Sequence, residues 1–151
     1  MRIRSGRRRR SQRRTWRRSQ PSWPFRRPSG RPRTPVFKIA TWNINGIRAR
    51  EAQIHEWIAL ERPDVVCFQE LKATPEQVPA SLTTLEGYWS HWHGERAYSG
   101  VGVLVSTSLA PTPPSFSHPS FDFETRIATA QMGDLMVASV YVPNGGKDYS
   151  A

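Results

Sequence analysis

The chain has 151 residues and a formal charge of +10, from 22 Lys and Arg against 12 Asp and Glu. That length admits one small domain with a buried core, the lone Cys67 rules out an internal disulfide, and no apolar run approaches the ~18 residues that a membrane span needs. The excess charge suggests nucleic acid, but residues 1–35 hold 14 Arg and no Lys, Asp or Glu, so residues 36–151 carry a formal charge of −4.

Residues 1–35 are Arg, Ser, Pro and Gly with a few Trp, and show no apolar periodicity from which a core could be built. They read as a disordered tail. Three roles fit: a phosphate-binding arm that releases counterions from nucleic acid, an organelle transit peptide, or an upstream extension outside the fold. With no signal-peptide apolar region and one cysteine placed in an apolar strand, the expected setting is a soluble, reducing compartment such as the cytoplasm.

The folded portion is expected over residues 36–151. Val36 to Ile44 and Asp64 to Gln69 read as buried strands, rich in β-branched and aromatic residues. Between them Arg50 to Arg62 reads as a helix, with Ile54, Trp57 and Ile58 on one face, Ile47 two turns earlier and Pro63 as the stop. A strand–helix–strand connection of this length makes the strands parallel, which brings Asn43 and Glu70 together at one edge of the sheet.

Thr74 to Leu85 predicts a short helix, with Thr74 as N-cap, Pro75 at the first helical position and Gln77 completing a capping box; Pro79 limits its length and Gly87 closes it. Four more strands are predicted at Tyr88 to His93, Gly100 to Ser106, Arg126 to Met132 and Leu135 to Val142. Gly133 and Asp134 form a tight turn between the last two. Pro111 to Pro119 reads as loop. A β-α-β start followed by hairpins fits an α/β (α+β) mixed sheet with flanking helices better than a doubly wound parallel sheet.

Several strand ends carry residues able to do chemistry. Glu70 ends a buried apolar strand, where a carboxylate is costly unless paired or bound to a cation, and its oxygens suit a hard ion such as Mg²⁺. The plainer reading is an exposed strand-end glutamate paired with Lys72. Asn43 and Asn45 offer amide oxygens and donors at the neighbouring strand end, or else serve the turn before Gly46. Tyr141 precedes a loop of Pro143, Asn144, Gly145 and Gly146, where its hydroxyl could donate to a phosphate, or it packs as a cross-strand aromatic. His91 and His93 share a strand face; with no further ligand at zinc spacing, they read as a half-exposed polar face. His55 and His118 are expected to be solvated.

Taken in order, W-N-I-N-G-I-R-A-R, P-D-V-V-C-F-Q-E-L-K, the G-Y and H-G that precede Y-S-G-V-G-V-L-V, and V-Y-V-P-N-G-G resemble the exonuclease III family of apurinic/apyrimidinic endonucleases, in the endonuclease/exonuclease/phosphatase superfamily. The resemblance runs from about Phe37 onward. It implies a sandwich of two mixed sheets flanked by helices, of which this chain supplies half of a four-layer arrangement. It implies a Mg²⁺ or Mn²⁺ site at Asn43 and Glu70, supported by Asn45 and Lys72. Tyr141 would assist at the scissile phosphate, Asn144 would lie near the phosphate backbone, and Arg126 in E-T-R would be a DNA-facing base.

The implied reaction, by a monomer and without a membrane, is hydrolysis of duplex DNA 5′ to an abasic site or at a 3′ end. An activated water attacks phosphorus while a cation and hydrogen-bond donors stabilise the charge that builds on oxygen. Two family segments, G-D-x-N and S-D-H, do not occur in these residues. The chain is therefore expected to lack one sheet and the catalytic Asp and His, and to be inactive and marginally folded alone. Sister phosphodiesterases of the superfamily fit the motifs less well. A non-catalytic nucleic-acid binder that works through the Arg tail is the alternative of a different class.

Overall fold

The computed structural model describes residues 36–143, which fall within one compact unit, Pro35–Ala151. The readings of the Arg-rich residues 1–35 and of the loop residues Asn144, Gly145 and Gly146 lie outside the described residues.

Strand β1 is Ile39–Asn43, helix α1 is Ile47–Glu61 and β2 is Val65–Gln69. As expected from the connection, β1 and β2 are parallel, with Asn43 opposite Gln69. Helix α1 begins three residues earlier than predicted: Gly46, at φ 104°, turns the chain out of the strand and leads straight into Ile47. Its end is an Arg62 in the left-handed region, whose N–H returns to Ile58 O at 2.9 Å.

The predicted helix over Thr74 to Leu85 is two pieces, a 3₁₀ turn at Pro75–Gln77 and helix α2 at Ala80–Thr83. Pro79 separates them because it cannot donate into a continuous ladder. The Gln77 side chain accepts the Thr74 N–H at 3.1 Å, as the capping pattern required.

Strands β3, Tyr88–Glu95, and β4, Tyr98–Ser106, form a hairpin that completes a mixed four-stranded sheet in the order β1-β2-β4-β3. A second sheet holds β5, Ser115–Ser117, β6, Ile127–Met132, and β7, Leu135–Val140. Strand β5 corrects the reading of Pro111 to Pro119 as loop. Its three residues pair with β6 from Ser115 opposite Gln131 to Ser117 opposite Thr129. Gly133 and Asp134 make the expected turn, with Met132 opposite Leu135 and Gly133 at φ 56°.

Strands β2 and β4 are buried on both faces, and their residues alternate between two cores. Val66, Phe68 and Leu104 face α1 and α2, against Ile47, Ile54, Ile58 and Leu82. Val65, Cys67, Val101, Val103 and Val105 face the second sheet, against Ala128, Ala130 and Val137. The inner face of the first sheet is therefore covered, which corrects the expectation that one whole sheet would be missing. Among the described residues the layers run helices, mixed sheet, antiparallel sheet.

His91 and His93 are half-buried, in line with the half-exposed face expected of them, and His118 is exposed as expected. The second sheet adds partners on that face: His91 stacks on Phe116 with centroids 5.2 Å apart and His93 stacks on His118 at 4.2 Å. His55, expected in solvent, has Nε2 3.0 Å from Ser81 Oγ.

Candidate active site

The ends of β1 and β2 are held together by main-chain atoms beyond the last ladder pair. Ile44 N donates to Gln69 O at 3.0 Å, Gly46 N to Glu70 O at 2.8 Å and Ile47 N to Leu71 O at 3.0 Å. On the other side, Leu71 N donates to Gly100 O and Lys72 N to Ser99 O, at 3.1 and 3.0 Å. Three segments are thereby locked at one corner of the sheet.

The side chains at that corner form one network. Asn43 Nδ2 donates to Glu70 Oε1 at 2.8 Å, and Asn43 Oδ1 accepts Asn45 N at 3.2 Å. Lys72 Nζ donates to Asn45 Oδ1 at 2.6 Å and stands 3.3 Å from Glu70 Oε2. The turn reading of Asn45 and the Lys72 pairing of Glu70 are both present, but inside a larger arrangement. Asn45, Glu70 and Lys72 all sit in the left-handed region, at φ 46°, 54° and 51°. Such backbone costs on the order of 1–3 kcal/mol per non-glycine residue and collects at functional sites.

Glu70 is kept below the usual carboxylate range, first by the Asn43 amide and further by Lys72 and Tyr141. It is ionised at neutral pH, with its side chain 20% exposed. The Tyr141 hydroxyl faces the same carboxylate, and burial followed by Glu70 raises its own pKa.

Tyr141 reaches this position through β7. Ser139, fully buried, donates from Oγ to Phe68 O at 2.9 Å and lies 3.4 Å from Gln69 Nε2. This polar contact ties the second sheet to β2 immediately before Glu70. Burial pushes the neighbouring Cys67 thiol up, consistent with core packing.

Arg126 lies one step away. Its carbonyl accepts Tyr141 N at 2.8 Å, while its guanidinium pairs with Glu124 and donates to Tyr98 Oη at 3.2 Å. The Tyr98 bond in particular holds the guanidinium in its charged form. Arg126 and Tyr141 line a cleft of about 500 Å³ with Phe121, Phe123, Val140 and Val142. The structure thus unites Asn43, Asn45, Glu70 and Lys72, sets Tyr141 beside them and puts Arg126 behind Tyr141. Asn144 falls outside the described residues.

Sequence reasoning missed Tyr98, Gln69 and Ser139. The signal for Ser139 was a hydroxyl between Ala138 and Val140 in an apolar strand; nothing local marked Tyr98 as a partner of Arg126.

A divalent cation fits the donor set of the corner. Among the described residues no three His, Cys, Asp or Glu side chains converge, so the ligands on offer are one carboxylate and neutral amide oxygens. Mg²⁺ commonly binds through one or two carboxylates and keeps several waters.

The endonuclease/exonuclease/phosphatase family model matches residues 40–149. The chain is 31% identical over 120 residues to DNA repair nuclease APEX1 of Danio rerio, covering 76% of this chain and 39% of that protein. It is 33% identical over 113 residues to exodeoxyribonuclease III of Haemophilus influenzae, covering 72% and 42%. An AP endonuclease structure from Archaeoglobus fulgidus superposes with a TM-score of 0.62 at 29% identity, covering 72% of this chain and 42% of that one. A Neisseria 3′ phosphatase bound to a product DNA hairpin gives 0.59 at 29% identity, covering 70% and 41%. The chain spans about two fifths of the length of these relatives. Family model, sequence identity and superposition agree: the chain belongs to the endonuclease/exonuclease/phosphatase family, with AP endonucleases and exodeoxyribonuclease III among its relatives.

Proposed function

We propose that these residues form the cation-binding portion of a DNA-repair nuclease that hydrolyses phosphodiesters in duplex DNA, at abasic sites or 3′ ends. The observation that carries the reading is the convergence of Asn43 and Glu70 from adjacent parallel strands, with Lys72 on the same carboxylate and Tyr141 near enough to lower its pKa. Glu70 and Asn43 would hold Mg²⁺ or Mn²⁺, and Asn45 and Lys72 would fix their orientation. The bound cation supplies electrostatic stabilisation of charge on phosphoryl oxygens.

The chain's own part is placement. The ionised Glu70 draws the cation to the corner, and Asn43 holds that carboxylate in one rotamer. Lys72 offsets the negative charge until a cation arrives. Tyr141 offers a hydroxyl donor to a phosphate oxygen, and the charged Arg126, behind it in the same cleft, attracts the DNA backbone. On this reading the protein works as a monomer, and turnover also requires the G-D-x-N and S-D-H segments, so residues 1–151 alone do not cleave.

Calorimetric titration of residues 1–151 with Mn²⁺, beside Glu70→Gln, tests the cation site. Binding that disappears in the variant supports it; equal binding by both proteins rejects it. Mg²⁺-dependent cleavage of an abasic duplex by residues 1–151 would overturn the stated inactivity. The 14 Arg of residues 1–35 favour a second reading, non-catalytic binding of nucleic acid. Salt-sensitive binding that vanishes on deletion of residues 1–35, together with no cation response, selects it.

A further inference from the structure

Asp122 belongs to none of the motifs above, yet its side chain is only 3% exposed and its carboxylate holds four polar contacts. Its Oδ1 accepts Arg126 N at 2.9 Å, and its Oδ2 accepts Arg126 N at 3.0 Å and Ile127 N at 2.7 Å. His93 Nε2 lies 3.2 Å from Oδ2. Strand β5 reaches only as far as Thr129, so among the described residues Ile127 and Ala128 of β6, and Arg126 before them, have no β5 partner. The carboxylate takes the place of that partner.

The consequence runs to the site. Arg126 O accepts Tyr141 N at 2.8 Å, and Tyr141 faces Glu70. Burial pushes the Asp122 carboxyl upward, but the Arg126 and Ile127 amides and His93 outweigh burial and leave it lowered, hence ionised. An ionised carboxylate only accepts, so His93 donates from Nε2–H, which fixes its tautomer. Around this group stand His91 and Glu95 on β3, His118 after β5, and Glu124 beside Arg126.

We infer that Asp122 is a positioning residue for the candidate site: its carboxylate sets the main-chain course through Arg126 and Ile127, from which Tyr141 is placed against Glu70, and His93 keeps the carboxylate oriented. What Tyr141 and Arg126 touch rests on the proposed function. The clamp itself does not.

The test is amide hydrogen exchange by NMR on residues 1–151, comparing wild type, Asp122→Asn, His93→Gln and His93→Leu. In Asp122→Asn the amides of Arg126, Ile127 and Tyr141 should exchange about ten-fold to hundred-fold faster, the worth of bonds to a charged acceptor, while β2 and β4 stay protected. His93→Gln, which keeps an N–H donor, should resemble wild type; His93→Leu should loosen the same three amides. Unchanged exchange there, or acceleration spread evenly over the domain, overturns the inference. If Asp122→Asn does not fold, His93→Leu decides on the same amides.

A second readout is broadening of the Tyr141 ring signals by bound Mn²⁺. It should weaken in Asp122→Asn while Mn²⁺ affinity is retained, because Asp122 touches neither Asn43 nor Glu70. Retained broadening counts against the inference. If wild type binds no Mn²⁺ at all, the cation reading fails and the exchange pattern still judges the clamp.

Discussion

Asn43 Nδ2 donates to Glu70 Oε1 at 2.8 Å across 27 residues of chain, and that bond is the largest influence holding the carboxyl below its usual range. Because the folded pKa is lowered, this contribution to stability is complete above the ordinary glutamate value and is lost as pH falls through the lowered one. In Asn43→Ala the Glu70 carboxyl should titrate closer to its ordinary value, as followed by carbon NMR. Divalent affinity should fall about ten-fold to hundred-fold, as for other residues that orient a ligand; an unchanged Mn²⁺ isotherm would contradict this role for Asn43.

Thr125 is β-branched, buried, and held at φ 51°, with a hydroxyl that has no hydrogen-bond partner among the described residues. The left-handed region costs a branched residue about 1–2 kcal/mol, and the extra chain entropy of glycine takes back only part of that gain. Thr125→Gly should therefore raise stability by about 1 kcal/mol, seen as a higher urea midpoint with an unchanged slope.

His91 places Nε2 in the interior without a hydrogen-bond partner among the described residues, while its ring stacks on Phe116. Burial, reinforced by His93 and His118, lowers its pKa. The folded state thus favours the neutral ring, and the resulting stability is full above the ordinary histidine value and declines as pH drops below it. His91→Phe keeps the stack and removes the orphaned nitrogen. Thermal melts between neutral and mildly acidic pH should show a gain of about 1 kcal/mol and a flatter acid slope.

Gly102 lies against Trp92, and a Cβ there would come within 2.4 Å of Trp92 Cε3. Trp92 is itself stacked on Phe68 at 5.9 Å in the core beneath the helices. Gly102→Ala should cost about 1–3 kcal/mol by overpacking, with a change in tryptophan emission that reports displacement of this ring. A variant as stable as wild type would show that the ring has room to shift.

The parallel pairing of β1 with β2, and with it the meeting of Asn43 and Glu70, could be read from local pattern. An apolar run, an amphipathic helix and a second apolar run leave one handed way to connect. The face of α1 was legible for the same reason, since Ile47, Ile54 and Ile58 repeat at helical spacing and are all buried. Strand β5 was not legible. Ser115, Phe116 and Ser117 have no pattern of their own and become a strand only because β6 offers partners. The half-exposed face of β3 was legible, but not its stacking partners: Phe116 and His118 reach His91 and His93 only through the second sheet. Tyr98 and Asp122 act through partners 28 and 4 residues away, pairings that no periodicity marks.

The hydrogen bonds that join the loops after β1 and β2 run between main-chain atoms, from Ile44, Gly46 and Ile47 to Gln69, Glu70 and Leu71. Such bonds do not depend on which side chains the loop carries. They set where the Glu70 main chain stands, while Asn45 and Lys72 orient the side chains above it, so placement of the corner and its chemistry are carried by different atoms. A scaffold of that kind is open to evolutionary divergence of substrate around a constant anchor.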